Sequence, residues 1–149
     1  LARELKPNVI TLDVMMPGMD GWAVLQALKA DPETNCIPVV MVTMVGDRSL
    51  GFALGAADFV VKPVTREKLS SLMAKFRCAT PPCRVLIVED DENSRELVRN
   101  MFEREGWLAD TAANGGIAAS PFRFRLTKHD ASNRPRRAPR LPVPRRLRG

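Results

Sequence analysis

The chain has 149 residues, 45% of them apolar, which is enough for one domain with a buried core. Its net charge of +6 is uneven, because residues 1–119 carry 13 Lys plus Arg against 16 Asp plus Glu, whereas residues 120–149 carry 10 against one. No apolar run could span a membrane and no secretion signal opens the chain, so we expect no membrane association and a cytoplasmic location.

Three apolar segments in the first half of the chain each end in a polar residue. The segments with their terminal residues are Val9–Leu12 with Asp13, Val39–Val42 with Thr43, and Asp58–Val61 with Lys62. Apolar residues at helical spacing follow each segment, the last of them over Arg66–Phe76. This alternation predicts an α/β fold, with a parallel sheet that helices cover on both faces.

The second half of the chain begins the same pattern again. Beyond a Pro-rich linker, the apolar strand Val85–Val88 runs into Glu89-Asp90-Asp91. A helix is predicted over Asn93–Glu105, and Trp107–Ala112 is a weaker strand candidate. The three cysteines have no metal-ligand spacing, so we expect reduced thiols.

The polar residues that end the strands are the candidate site. Because the carboxyl ends of parallel strands share one edge, Asp13, Thr43 and Lys62 are expected to converge there. Glu89 and Asp90 are adjacent carboxylates that repel each other unless they share a cation, and oxygen ligands suit Mg²⁺. The alternatives are that Asp13 only caps a turn and that the acidic residues only begin a solvated helix.

These motifs resemble those of bacterial response-regulator receiver domains. Leu12–Gly21, with Thr43 and Lys62-Pro63, resembles the second half of such a domain, and the segment from Val85 to Ala119 resembles its opening. The resemblance implies a flavodoxin-like, doubly wound parallel sheet with strand order 2-1-3-4-5.

The resemblance also implies a phosphoacceptor site. Asp13 would accept the phosphoryl group, the Thr43 hydroxyl would bond a phosphoryl oxygen, and Lys62 would pair with it. Phe59 stands where the family often has a switch aromatic residue, and it has no hydroxyl. The implied phosphoryl donor is a histidine kinase or a histidine phosphotransfer protein.

A magnesium site is implied by the same resemblance. Glu89 and Asp90 would hold Mg²⁺ together with Asp13 and the backbone carbonyl of Met15. The chemistry is consistent, because a carboxylate that attacks a phosphoryl group needs the incoming charge neutralised.

The order of the two halves departs from the family pattern. The phosphoacceptor part, residues 1–78, precedes the linker 79–83 and the acidic part, residues 84–119. The simplest interpretation is a fragment of tandem receivers, as occur in hybrid sensor kinases. The alternative is a composite receiver assembled from permuted halves, within one chain or as a domain-swapped homodimer, with the acidic strand beside the Asp13 strand.

The tail, residues 120–149, is rich in Arg and Pro and is predicted to be disordered. Two interpretations remain open. It is either a basic arm that binds nucleic acid nonspecifically or a segment with no selected function, such as the product of a shifted reading frame.

Three functions are considered for residues of this kind. The leading prediction is a phosphoacceptor module of a phosphorelay, with at most self-phosphorylation and autodephosphorylation and no kinase domain. The alternative is an incomplete receiver that serves only as a protein-interaction surface. A metal-dependent phosphohydrolase would need a second Asp two residues after the nucleophile, and that position is Met15.

Overall fold

The computed structural model describes residues 1–44 and 48–119, in which strands and helices alternate. The strands are β1 (Val9–Asp13), β2 (Val39–Thr43), β3 (Asp58–Val61), β4 (Arg84–Val88) and β5 (Leu108–Ala112). The helices are α1 (Ala2–Leu5), α2 (Gly21–Ala30), α3 (Arg48–Ala53), α4 (Arg66–Lys75), α5 (Glu92–Arg104) and α6 (Gly115–Ala119). The predictions for the basic tail, 120–149, lie outside the described residues.

All five strands form one parallel sheet in the order β3-β2-β1-β4-β5. The predicted flavodoxin-like parallel sheet is therefore confirmed. The acidic strand β4 pairs with β1 from Val9↔Val85 to Leu12↔Val88. This is the pairing expected if both halves contribute to one sheet.

The sheet is covered on both faces, and most side chains of its central strands are apolar. Every residue of β1 and of β2 is buried. On one face, Ile10 and Leu12 pack with Leu25 of α2, whereas Leu69 of α4 and Phe102 of α5 belong to the core on the other face. Alternate side chains of each strand thus enter two separate cores.

Side-chain caps start three helices. The Asp20 carboxylate accepts a hydrogen bond from Trp22 N–H (3.1 Å) at α2, and Asp91 accepts one from Ser94 N–H (2.7 Å) at α5. Thr65 does the same for α4, accepting from Lys68 N–H at 3.4 Å. These caps satisfy backbone donors that a helix leaves free at its first turn. No helix in the described part of the chain combines the length and apolar character needed to cross a membrane.

The weak strand candidate at the end of the second half does form, but it begins at Leu108 rather than Trp107. Trp107 is 4% exposed and packs edge to face against Phe102, with ring centroids 5.5 Å apart. Trp107 therefore packs in the aromatic core directly before the strand.

The expectation that all thiols are reduced is wrong for the linker. Cys78 and Cys83 form a disulfide, with Cα atoms 5.4 Å apart, while Cys36 is free and exposed. The chain reverses direction between α4 and β4, and this reversal brings the two cysteines within disulfide range.

Candidate functional site

The residues predicted to share one edge of the sheet do share it. Asp13 is the last residue of β1 and Thr43 the last of β2, while Lys62 directly follows β3. Glu89 and Asp90 directly follow β4. Because Leu12 is in register with Val88, Asp13 and Glu89 lie at the ends of neighbouring strands.

Two buried carboxylates share one ammonium group at this edge. Lys62 Nζ lies 3.1 Å from Asp13 Oδ2 and 3.0 Å from Glu89 Oε2. Asp13 is only 4% exposed and Glu89 only 6%. Pairing with a cation offsets part of the cost of removing these charges from water.

Backbone N–H groups complete the hydrogen bonding of both carboxylates. Met15 N–H donates to Asp13 Oδ1 at 3.3 Å, and Asp91 N–H donates to Glu89 Oε1 at 3.2 Å. Each carboxylate is therefore held on one oxygen by Lys62 and on the other by the turn that follows its own strand.

The pKa of Glu89 is raised to about 7, mainly by burial and also by the neighbouring Asp13 carboxylate, while Lys62 partly opposes both effects. For Lys62, burial acts to lower the pKa, but hydrogen bonds to Glu89 and Asp13 outweigh it and the pKa is raised. Lys62 therefore stays charged at neutral pH, whereas Glu89 can gain or lose a proton there.

Asp13, Glu89 and Asp90 can also hold a metal ion together. One carboxylate oxygen from each lies within 4.8 Å of the others. A set of oxygen ligands with few protein carboxylates fits Mg²⁺, which keeps several of its own waters. The side chain of Met15 is 72% exposed, and a role for its backbone carbonyl stays a prediction.

Arg95 is a contributor that sequence reasoning missed. Its guanidinium Nη1 donates to the backbone carbonyls of Glu89 (2.9 Å) and Asp90 (3.1 Å), which fixes the acidic loop to α5. The available signal was a cation in the first turns of a helix, where the helix dipole disfavours positive charge unless a local partner compensates.

Thr43 contacts Lys62, whereas Phe59 belongs to the apolar core. Thr43 is 3% exposed, and its carbonyl accepts a hydrogen bond from Lys62 N–H at 2.8 Å, which ties β2 to the lysine. Phe59 points into the core, with its ring 4.9 Å from that of Phe52 and in an edge-to-face arrangement. A Cβ at Gly51 would overlap the Phe59 ring, so this glycine makes room for it.

Comparison with known proteins shows the family of this chain. The model of the response regulator receiver domain matches residues 1–74. The response regulator PleD of Caulobacter vibrioides is 46% identical over 115 residues, which cover 75% of this chain and 23% of PleD. The chain belongs to the response regulator receiver domain family. The chain spans less than a quarter of the length of PleD.

Two further proteins are similar in sequence. Protein PilH of Pseudomonas aeruginosa is 42% identical over 72 residues, which cover 46% of this chain and 60% of PilH. The receiver domain of a signal transduction histidine kinase from Syntrophus aciditrophicus is 32% identical. That alignment covers 54% of this chain and 68% of the solved chain, with a TM-score of 0.44.

Proposed function

We propose that this receiver is a phosphoacceptor module of a two-component phosphorelay and that Asp13 takes the phosphoryl group. The observation that carries the proposal is the position of Asp13. It is a buried carboxylate at the carboxyl edge of the sheet, paired with Lys62 and within metal-sharing distance of Glu89 and Asp90.

The proposed reaction transfers a phosphoryl group from one nucleophile, on the donor, to another, the Asp13 carboxylate. An oxygen of Asp13 attacks the phosphorus of a phosphohistidine or a small acyl phosphate, and the bond from phosphorus to the donor nitrogen or oxygen breaks. The donor leaves with the electron pair, and Asp13 becomes an aspartyl phosphate. Lys62 then pairs with the phosphoryl oxygens, and the Thr43 hydroxyl donates to one of them.

Mg²⁺ is part of the proposal. Asp13, Glu89, Asp90 and the Met15 carbonyl would hold it, and it would supply positive charge beside the phosphoryl oxygens. Arg95 supports this role, because it holds the backbone of both Glu89 and Asp90 in place.

The proposal includes a composite site built from two partial receivers in permuted order. The family model matches 1–74 alone, whereas the PleD alignment spans 115 residues and so extends into the second half of the chain. This difference supports the interpretation that the chain is a continuous piece of a protein in which one receiver domain follows another. A histidine kinase or histidine phosphotransfer protein is the proposed phosphoryl donor, and a cytoplasmic location is part of the same proposal.

The experiment is an intact-mass measurement after incubation with acetyl phosphate and Mg²⁺. We expect a mass increase of one phosphoryl group that chelation of Mg²⁺ prevents and that Asp13→Asn abolishes. Asp110→Asn is the matched control. Asp110 lies on the edge strand β5, and its partly exposed carboxylate pairs with Arg84 of β4. A phosphoryl adduct on the Asp13→Asn chain would rule out the assignment.

The alternative is a receiver that acts only as an interaction surface. Met15 and Met44 favour it, because they are 72% and 60% exposed where β1 and β2 end, and exposed methionines suit adaptable protein contacts. Absence of both Mg²⁺ binding and the phosphoryl adduct in the folded chain would favour this alternative. Nonspecific nucleic-acid binding by the tail stays a separate prediction, and its affinity would fall steeply with salt.

A further inference from the structure

The Cys78–Cys83 disulfide lies at the junction of the two halves of the sheet. Helix α4 ends the first half at Lys75, and β4 begins the second half at Arg84. The disulfide closes the connection between them and holds the two Cα atoms 5.4 Å apart. An open chain over the same five-residue separation could extend to about 17 Å.

The end of this loop is fixed to both neighbouring strands. Asn8 and Arg84 exchange two hydrogen bonds, from Asn8 N–H to the Arg84 carbonyl and from Arg84 N–H to Asn8 Oδ1, both at 2.8 Å. The Cys83 carbonyl accepts from Leu108 N–H at 2.8 Å. The disulfide therefore constrains the point at which the acidic half enters the sheet.

We propose that this disulfide is a reversible redox site that determines which chain the acidic half pairs with. In the oxidised form, the closed loop keeps β4 beside β1 of its own chain. In the reduced form, the linker can open, and the acidic half of one copy can pair with β1 of a second copy. The partner is thus a second copy of this chain, exchanged through the linker as a hinge.

The surroundings of the sulfur atoms suit reduction by a dithiol. Cys78 is partly exposed, whereas Cys83 is 4% exposed, so an incoming thiolate reaches Cys78 Sγ. Cys78 N–H lies 2.9 Å from Cys83 Sγ, where it stabilises the thiolate that leaves when the disulfide bond breaks.

The reaction is balanced with named reagents. The first thiolate of the dithiol bonds to Cys78 Sγ, and Cys83 Sγ leaves with the electron pair. The second thiol of the reagent then displaces Cys78 Sγ, the reagent becomes a cyclic disulfide, and each cysteine ends as a thiol. Glutathione disulfide reverses the change by accepting the two electrons and becoming two glutathione thiols.

The test is the molar mass of the full chain in solution over a wide range of protein concentration. All proteins carry Cys36→Ser, which removes the exposed free thiol and prevents cross-linking between chains. We expect the glutathione-disulfide-treated chain to stay a 16.5 kDa monomer. The dithiothreitol-treated chain and the Cys78→Ser/Cys83→Ser chain should form dimers as concentration rises. Monomers in all three samples, or equal dimerisation in all three, would overturn the proposal.

A mixing experiment shows whether the dimer is exchanged. Asp13→Asn chains are mixed with Glu89→Ala/Asp90→Ala chains, so that an intact site can form only when the acidic half of the first chain pairs with the second. With acetyl phosphate and Mg²⁺, reduction should produce the phosphoryl adduct on the second chain, and oxidation should prevent it. A reduced dimer without this adduct, although the wild-type chain is labelled, would refute exchange. If the wild-type chain is not labelled either, the phosphoacceptor proposal fails while the molar masses still decide the redox proposal.

Discussion

Asp13 and Glu89 lie on opposite sides of the linker, yet Lys62 Nζ bonds a carboxylate oxygen of each, at 3.1 and 3.0 Å. Both carboxylates are buried, so their mutual repulsion is poorly screened by water. The ammonium group therefore stabilises the meeting of two acidic groups that the two halves of the chain supply separately. The charge balance of the site depends on Lys62 as much as on either acid.

Replacing Lys62 by alanine should slow formation of the Asp13 phosphoryl adduct by about 10²–10³-fold, the usual effect of losing one transition-state donor. The reason is that both the attacking carboxylate and the incoming phosphoryl oxygens lose their cation. The measurement is the initial rate of adduct formation with acetyl phosphate at saturating Mg²⁺, followed by intact mass.

Lys75→Ala is the matched control for this change. Lys75 forms a more exposed ion pair with Asp58, with its Nζ 2.8 Å from Asp58 Oδ2. A surface ion pair of this kind contributes little, so the rate should be unchanged. Equal rates for Lys62→Ala and Lys75→Ala would contradict the role of Lys62.

The affinity for Mg²⁺ should fall as the pH falls below about 7. Burial raises the pKa of Glu89 to about 7, and only the ionised carboxylate binds a metal ion well. At lower pH, binding has to release this proton, so the apparent affinity should drop by up to about tenfold per pH unit. Titration with Mg²⁺ at several pH values, with calorimetric detection, measures the effect.

Ionisation of Glu89, which favours Mg²⁺ binding, should lower the stability of the fold when Mg²⁺ is absent. Because the folded-state pKa lies above the ordinary value of 4.5, folding favours the protonated form of Glu89. This contribution is present below about pH 4.5 and is lost as the pH rises through about 7. Urea unfolding midpoints should therefore decline over this window relative to those of Glu89→Gln. Parallel pH profiles for the two proteins would exclude Glu89 as the source.

Much of the site could be predicted from the sequence because strand ends are visible in it. Apolar runs that stop at Asp13, Thr43 and Lys62 mark the carboxyl edge of a parallel sheet, and the sheet topology then brings those ends together. The pairing of β4 with β1 was predictable for a related reason, since the apolar strand β1 would otherwise have one unpaired side.

The remaining features depend on distances that the sequence does not contain. Nothing in the spacing of Cys78 and Cys83 shows that the chain reverses between them, and thus the expectation of reduced thiols was wrong. The bonds from Arg95 to the carbonyls of the acidic loop depend on the direction in which α5 leaves β4. Likewise, only packing shows that Trp107 belongs to the core rather than to β5.

Gly21→Ala should damage the site through the backbone. A Cβ at Gly21 would overlap the Asp13 carbonyl and the Val14 Cα, so the start of α2 or the end of β1 has to move. We expect a loss of about 3 kcal/mol in the free energy of unfolding, as for overpacking against a rigid neighbour, and weaker Mg²⁺ binding. Urea unfolding and Mg²⁺ titration measure the two effects.

Gly18→Ala separates steric overlap from backbone strain. Gly18 has φ +77, and a Cβ added there would meet no atom within 4 Å, so alanine should cost about 1 kcal/mol from the left-handed conformation alone. Its Mg²⁺ affinity should match that of the unmodified chain. If Gly18→Ala weakens Mg²⁺ binding as much as Gly21→Ala does, the close approach of α2 to Asp13 is not what shapes the site.

The fragment 1–76 should neither bind Mg²⁺ as the whole chain does nor stay monomeric. Without β4, the buried strand β1 loses its partner along Val9–Leu12 and presents an apolar edge that invites pairing with other chains. Two of the three clustered carboxylates, Glu89 and Asp90, are lost with the second half. Light scattering and Mg²⁺ titration of the fragment measure both effects.

The full-length Glu89→Ala/Asp90→Ala chain with its disulfide oxidised keeps β4 and separates the two effects, because it should remain monomeric while losing Mg²⁺ binding. A fragment that is folded and monomeric and binds Mg²⁺ as tightly as the whole chain would show that the acidic half is not part of the site.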